Sequence, residues 1–127
     1  MKLRIRGNSV RFRLSRAEIA QLEDTGAVQD TVQFGPGNQL AYGLEVGSAD
    51  SLAVSYTPDR IRVEVPAVSA EQWLQPAEVS LQGEQSLAGG GRLLILLEKD
   101  FACLTPREGD DDADSFPNPA AAAEEQR

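Results

Sequence analysis

The chain has 127 residues, of which 41% are hydrophobic, 25% charged and 6% aromatic, which predicts one globular domain. It contains no histidine and one cysteine, so histidine-dependent catalytic relays, histidine metal ligands and an internal disulfide are excluded. The formal charge of -8 argues against nucleic acid as a partner. No apolar run approaches the length that spans a bilayer, and we expect a cytoplasmic protein.

Charge is divided unevenly along the chain. Residues 1–16 contain six of the twelve basic side chains and no acid, whereas residues 106–127 contain seven acids and two arginines. The C-terminal stretch has one large apolar residue, Phe116, and it cannot bury enough surface to offset the entropy of ordering. We therefore predict a single α+β domain over residues 1–105 and a mostly disordered acidic tail over residues 106–127.

The chain opens with a predicted β-hairpin. Apolar and basic residues alternate over residues 2–6 and again over residues 10–14, the period of two expected of half-buried strands. Gly7-Asn8 between them suits a two-residue type II′ turn, in which glycine takes the positive φ of the first central position. That turn places Arg4 opposite Arg11 and sorts the hairpin into one apolar face and one cationic face.

A helix and four more strands are predicted next. Ser15 and Glu18 match a capping box, and Gly26 stands where the helix would end. Apolar residues with strand character follow over residues 31–34, 40–46, 52–56 and 61–65. Their succession predicts a meander.

The last third of the predicted domain holds a short helix and two strands. Ser69 is predicted to cap the helix, and Val79 and Leu81 lie on a short strand. Residues 93–97 are apolar on both faces, which is typical of a central, covered strand. The fold class is α+β, a mainly antiparallel sheet of six to eight strands, flat or curled, with one or two covering helices. No internal sequence repeat is evident.

The cationic face of the opening hairpin is the candidate binding site. Five arginines are the candidate anion or partner ligands: Arg4, Arg6, Arg11, Arg13 and Arg62. Their planar guanidinium groups pair well with carboxylate and phosphate. Because like charges directly across a ladder destabilise it, the face requires a counter-charge. Acids on neighbouring strands such as Glu45 or Glu64, the acidic tail or an external anion would supply it.

Small outward residues on the middle strands indicate that something lies close against them. These residues are Ala41, Gly43, Ala53 and Ser55. A covering helix is one interpretation. The other is a curled sheet with a lined lumen, as in triphosphate tunnel enzymes, although the Glu-x-Glu-x-Lys strand of those enzymes is replaced here by Lys-Leu-Arg-Ile-Arg at residues 2–6.

Three functions therefore stay open. The first is a binding or interaction domain without a cofactor, whose arginine face receives an acidic protein or a phosphate-bearing small molecule. The second is a phosphate-ester or triphosphate-processing enzyme with arginine clamps and a divalent metal held by Glu64, Glu98 and Asp100. The third is a structural protein whose charges only keep it soluble.

Three segments resemble an uncharacterised family of short bacterial proteins. They are residues 1–14, with Lys-Leu-Arg-Ile-Arg followed by Asn-Ser-Val-Arg, the segment Glu-Lys-Asp-Phe-Ala-Cys-Leu at residues 98–104, and Phe-Pro-Asn-Pro at residues 116–119. The resemblance covers nearly the whole chain and implies a small cytoplasmic bacterial protein. It brings no activity, cofactor or catalytic residue with it.

Overall fold

The structure, a computed structural model, describes residues 1–100 as eight strands and two helices. The strands are β1 (Lys2–Arg6), β2 (Ser9–Leu14), β3 (Ala27–Gly35), β4 (Asn38–Gly47), β5 (Ala53–Thr57), β6 (Arg60–Pro66), β7 (Ser80–Ser86) and β8 (Arg92–Lys99). The helices are α1 (Arg16–Thr25) and α2 (Ala67–Trp73). Cys103, the motif at residues 116–119 and the predicted acidic tail lie outside the described residues.

The strands form two four-stranded sheets and not one. The first sheet has the order β1-β2-β8-β7, and the second has the order β3-β4-β6-β5. In each sheet two antiparallel hairpins meet through a parallel central pair, β2 with β8 or β4 with β6. The predicted meander and single sheet are corrected here: antiparallel pairs predominate in the described strands, as predicted, but both sheets are mixed because their central pairs are parallel. Each helix carries the chain from one sheet to the other, so hairpins that are adjacent in sequence across a helix do not pair.

The opening hairpin has the predicted turn and register. Gly7 takes a φ of 54°, and no residue other than glycine has a positive φ among the described residues, as a type II′ turn requires. Lys2 pairs with Arg13, and Arg4 pairs with Arg11. The prediction of one apolar and one cationic face is therefore confirmed.

Helix α1 is specified locally, as predicted, whereas α2 is not. The Ser15 hydroxyl accepts from the Glu18 amide, the Glu18 carboxylate accepts from the Ser15 amide at 2.9 Å, and Gly26 ends the helix with a φ of 79°. Helix α2 follows Pro66 directly and has no side-chain cap, so the predicted cap at Ser69 is wrong. The proline ring already holds the backbone at a φ of -57°, which suits a first helical turn.

The core lies between the inner faces of the two sheets and is completed by both helices. The most deeply buried side chains are Phe12, Leu14, Leu22, Leu44, Val63, Val65, Trp73, Ile95 and Leu97. Leu22 comes from α1 and Trp73 from α2, and the Trp73 indole N–H donates to the Val79 carbonyl at 3.4 Å. Neither helix has the length and apolar character of a membrane span within residues 1–100.

The small residue at position 43 is explained by the neighbouring strand. A Cβ on Gly43 would overlap the carbonyl oxygen of Val28 and lie 2.9 Å from the Cα of Gln29. Both belong to β3, which pairs with β4 along its length. At Gly43 the close neighbour is therefore strand backbone, neither a covering helix nor the lumen of a tunnel.

Each half of the described chain contributes one hairpin to each sheet. Residues 2–47 run hairpin, helix, hairpin, and residues 53–99 repeat that order. Equivalent hydrogen bonds link the hairpins in both sheets: Leu94 N–H donates to Asn8 at 3.1 Å, and Ala41 N–H donates to Asp59 at 2.8 Å. The fold thus contains a two-fold topological repeat that the sequence analysis did not detect, and matching positions of the two sheets can be compared.

Candidate anion-binding groove

The cationic side chains lie on the outer face of the first sheet, the face opposite the core. Strand register arranges this face in three rows across the sheet: Arg6, Ser9, Leu94 and Glu84; then Arg4, Arg11, Leu96 and Gln82; then Lys2, Arg13, Glu98 and Ser80. Cations occupy β1 and β2, apolar residues occupy much of β8, and polar residues occupy β7. The face is therefore polarised from one edge to the other.

The first two rows line a groove of about 470 Å³, a volume typical of small-molecule sites. We name it the arginine groove and define it by Arg4, Arg6, Ser9, Val10, Arg11, Gln82, Gly83, Glu84, Leu94, Ile95 and Leu96. All four strands of the first sheet contribute to it. The arginine face predicted from the first fourteen residues is thus one wall of a larger concave surface.

Glu98 on β8 is the counter-ion of two of these arginines. Its Oε1 lies 3.3 Å from Nε of Arg11 and 3.6 Å from a terminal nitrogen of Arg13, and the Arg13 side chain is 14% exposed. That Oε1 atom is buried and accepts no hydrogen bond of good geometry within residues 1–100. The contact is therefore mainly charge–charge attraction, and it holds both guanidinium groups against the sheet.

The cations nearer the sheet edge have different surroundings. Arg4 lies directly opposite Arg11 and makes no hydrogen bond or ion pair within residues 1–100. Lys2 Nζ lies 3.3 Å from the Asp100 carboxylate, and Lys2 is outside the arginine groove. The groove wall consequently holds two adjacent like charges, Arg4 and Arg11, of which Arg11 is paired with Glu98.

The second sheet offers an internal comparison. Arg62 is the register counterpart of Arg11, and its terminal nitrogen lies 3.0 Å from Glu45, the counterpart of Glu98. The position that matches Arg4 is Ser55, which pairs with Arg62 as Arg4 pairs with Arg11. An arginine–glutamate pair thus recurs in both sheets, but only the first sheet has a second arginine, Arg4, opposite the paired one.

The floor and the far wall of the groove come from the other end of the described chain. Leu94 and Leu96 form the floor on β8, and Leu94 is 48% exposed. On β7, Glu84 is bound to Arg92 at 3.1 Å, and Gln82 lies beside Leu96. These residues were not predicted as part of the site. The run of apolar residues 93–97 was the only sequence signal that pointed to the leucines among them.

The predicted site residues are brought together in part. Arg4, Arg6 and Arg11 line the groove, and Arg13 is adjacent to it through Glu98. Arg62 lies on the second sheet, away from the other four.

The candidate metal ligands Glu64, Glu98 and Asp100 are not brought together. Glu64 is on β6, where its carboxylate accepts from the Ala49 amide at 2.7 Å. Within residues 1–100 no group of three or more Cys, Asp or Glu side chains is placed to hold a metal ion. Glu98 and Asp100 instead pair with basic residues of the opening hairpin. Glu98 is thus an acid on a neighbouring strand that supplies counter-charge, whereas the examples named for this role, Glu45 and Glu64, lie in the second sheet.

A second charged cluster lies at the start of β1. The ammonium group of Met1 lies 2.6 Å from the Glu18 carboxylate and 3.6 Å from Asp30, and the Tyr42 hydroxyl donates to the Met1 carbonyl at 3.3 Å. Burial alone would raise the pKa of Glu18, but hydrogen bonds from the ammonium and from Ser15 outweigh it and lower the pKa. Burial and the negative charges of Asp30 and Glu18 raise the pKa of Tyr42. The cluster ties α1 to both sheets.

Comparison with known proteins identifies the family. Residues 1–120 match the model of a family of unknown function, DUF7009, and the chain therefore belongs to that family. No curated protein and no solved structure matches the chain. The resemblance to an uncharacterised family is confirmed, and the family itself indicates no function.

Proposed function

We propose that this protein is a non-enzymatic binding domain whose arginine groove receives the phosphate or carboxylate group of an acidic ligand. The Arg4–Arg11 pair carries the proposal. Two cations lie opposite each other on one wall of the groove, and Arg4 has no counter-charge within residues 1–100. Glu98 shares one negative charge between Arg11 and Arg13, so an anion bound between Arg4 and Arg11 would supply the counter-charge that Arg4 lacks within that range.

The internal repeat supports this proposal. The arginine–glutamate pair is present in both sheets, as Arg11 with Glu98 and as Arg62 with Glu45, so this pair is explained as part of the scaffold. The position of Arg4 is filled by serine in the second sheet. The fold therefore does not require a cation at the position of Arg4. Binding of an anionic ligand would explain why arginine occupies it.

The volume and shape of the groove also support a small ligand. A groove of about 470 Å³ can surround an anionic group and the part of the molecule attached to it. Arg4 and Arg11 reach it from neighbouring strands, so their guanidinium groups can approach one phosphate from two directions. Each guanidinium can also donate two parallel hydrogen bonds, which makes its contact with phosphate stronger and more specific than that of an ammonium group.

Calorimetric titration with pyrophosphate tests the proposal. We expect each of Arg4→Gln and Arg11→Gln to weaken binding by about tenfold to about a hundredfold, because a hydrogen bond to a charged group contributes roughly 1.5–3 kcal/mol. The matched control is Arg62→Gln, which removes the equivalent guanidinium from the second sheet and should leave the affinity unchanged. Equal affinity in the wild type and in Arg4→Gln would contradict the proposal.

The same samples test whether the groove catalyses a reaction. Pyrophosphate incubated with the protein and Mg²⁺ should be recovered intact. Release of orthophosphate that is lost in Arg11→Gln would overturn the non-enzymatic part of the proposal and would favour a phosphate-ester enzyme.

A further inference from the structure

The floor of the arginine groove is apolar and accessible. Leu94 and Leu96 point to the outer face of β8, and Leu94 is 48% exposed although it lies on a central strand. Leu94 shares a row with Arg6, and Leu96 shares a row with Arg4 and Arg11. Both of the rows that line the groove therefore run directly onto a leucine.

The fold does not require leucine at these positions. In the second sheet the matching register positions are Ala41, beside Arg60, and Gly43, beside Arg62. A cavity beside Gly43 and Arg62 on that sheet, to which neither Ala41 nor β5 contributes, has a volume of about 30 Å³. Large apolar side chains thus line the wide groove of the first sheet, whereas small residues occupy the matching positions of the second sheet.

The spacing of strands fixes how a ligand would lie. Neighbouring strands are about 4.8 Å apart, so a line from β2 across β8 to β7 is about 10 Å long. An anion at Arg4 and Arg11 leaves this distance for the remainder of the molecule, which would cross the leucines and reach the Gln82 amide. A bare anion would leave the leucines exposed to water.

We infer that the ligand of the arginine groove is an amphipathic small anion, in which one phosphate or carboxylate group is attached to an apolar chain or ring. This inference rests on the proposed function and adds the chemical class of the ligand. The arginine wall binds the anionic group, and the leucine floor binds the apolar part. Inorganic phosphate and pyrophosphate then fill only one end of the groove.

Titration with octyl phosphate and with inorganic phosphate, both as monomers in solution, tests the inference. Each methylene that is buried strengthens binding by about fourfold, so contact of two or three methylenes with the leucines should make octyl phosphate bind at least about tenfold tighter than phosphate. The double variant Leu94→Ser/Leu96→Ser should abolish this advantage and leave phosphate affinity unchanged. The matched control is Val68→Ser, which removes a side chain that is 78% exposed on α2 and should change neither affinity.

The outcomes separate the inference from the proposed function. If phosphate binding depends on Arg4 but octyl phosphate binds no tighter, the amphipathic ligand is refuted and the anion site stands. If an octyl advantage survives Leu94→Ser/Leu96→Ser in a protein with wild-type circular dichroism, the apolar part binds elsewhere and the inference is wrong. If octyltrimethylammonium binds as tightly as octyl phosphate, the arginines do not select a negative charge, and both the proposed anion site and the amphipathic-anion inference are refuted.

Discussion

Replacing Glu98 by glutamine should strengthen ligand binding and weaken the fold at the same time. Glu98 is the counter-ion that holds Arg11 and Arg13 in the native structure. It also places a negative charge close to the anion that we propose to bind at Arg11. The Glu98→Gln variant keeps the size and shape of the side chain and removes both effects.

The size of the effect follows from the geometry. A ligand oxygen that is hydrogen-bonded to Arg11 would lie roughly 6 Å from the Glu98 carboxylate, where two unit charges repel by about 0.7 kcal/mol in water and about 3 kcal/mol at an effective dielectric constant of 20. Glu98→Gln should therefore raise the affinity for pyrophosphate by about threefold to about a hundredfold. Lost attraction to two half-buried arginines should cost about 1 kcal/mol of unfolding free energy.

Two measurements check this pair of effects, with Glu45→Gln as the matched control. Glu45 is the counter-ion of Arg62 at the equivalent position of the second sheet, so its replacement should lower stability slightly and leave pyrophosphate affinity unchanged. Affinity is measured by calorimetry at low ionic strength, and stability is measured by urea unfolding. If Glu98→Gln lowers the affinity, or if Glu45→Gln raises it equally, the reasoning about the groove is refuted.

Three further predictions follow from other parts of the molecule. The pKa of Glu18 is lowered from 4.5, so its contribution to stability is complete above that pH and is lost as the pH falls through the lower native pKa. The unfolding free energies of Glu18→Gln and wild type in urea should differ near neutrality, and the difference should shrink as the pH falls below 4.5 through the lower native pKa. A difference that does not vary with pH would contradict this. Gly43→Ala should lower the unfolding free energy by at least about 1 kcal/mol because the added Cβ would overlap the Val28 carbonyl. The control is Gly89→Ala, which should be neutral because no atom lies within 4 Å of the added Cβ. Equal midpoints of the two variants in urea would refute the overlap. Deletion of all residues after Thr105 removes a net charge of -5 that is carried on the same chain. If this segment competes with the ligand, pyrophosphate affinity should rise by about threefold in calorimetry, and an unchanged affinity would show that it does not compete.

Local features of the fold were predictable because a few neighbouring residues determine them. The Gly7-Asn8 turn fixes the register of β1 with β2, and the Ser15–Glu18 capping box fixes the start of α1. The choice of partner for β2 was not predictable in this way. No local signal singles out β8 for it, because the two strands are about 80 residues apart in the chain and their pairing depends on the packing of the whole core.

The candidate site was predictable to the same extent. Arg4 and Arg11 were correctly placed opposite each other because their pairing depends on one turn. The Leu94 and Leu96 floor was hidden because a strand that is apolar on both faces usually lies under cover on both sides. Here one of those faces lines a groove, which the strand alone cannot show.

The two sheets differ in how far apart in the chain their contacting residues lie. The Arg62–Glu45 contact of the second sheet joins residues 17 positions apart, whereas the hydrogen bond from Asn8 to Arg92 in the first sheet joins residues 84 positions apart. Closing a longer loop costs more entropy and slows the pairing. During synthesis on the ribosome, the second sheet can therefore assemble while the chain is still growing, but the binding surface must wait until β8 has emerged, so a chain interrupted before residue 92 would lack it.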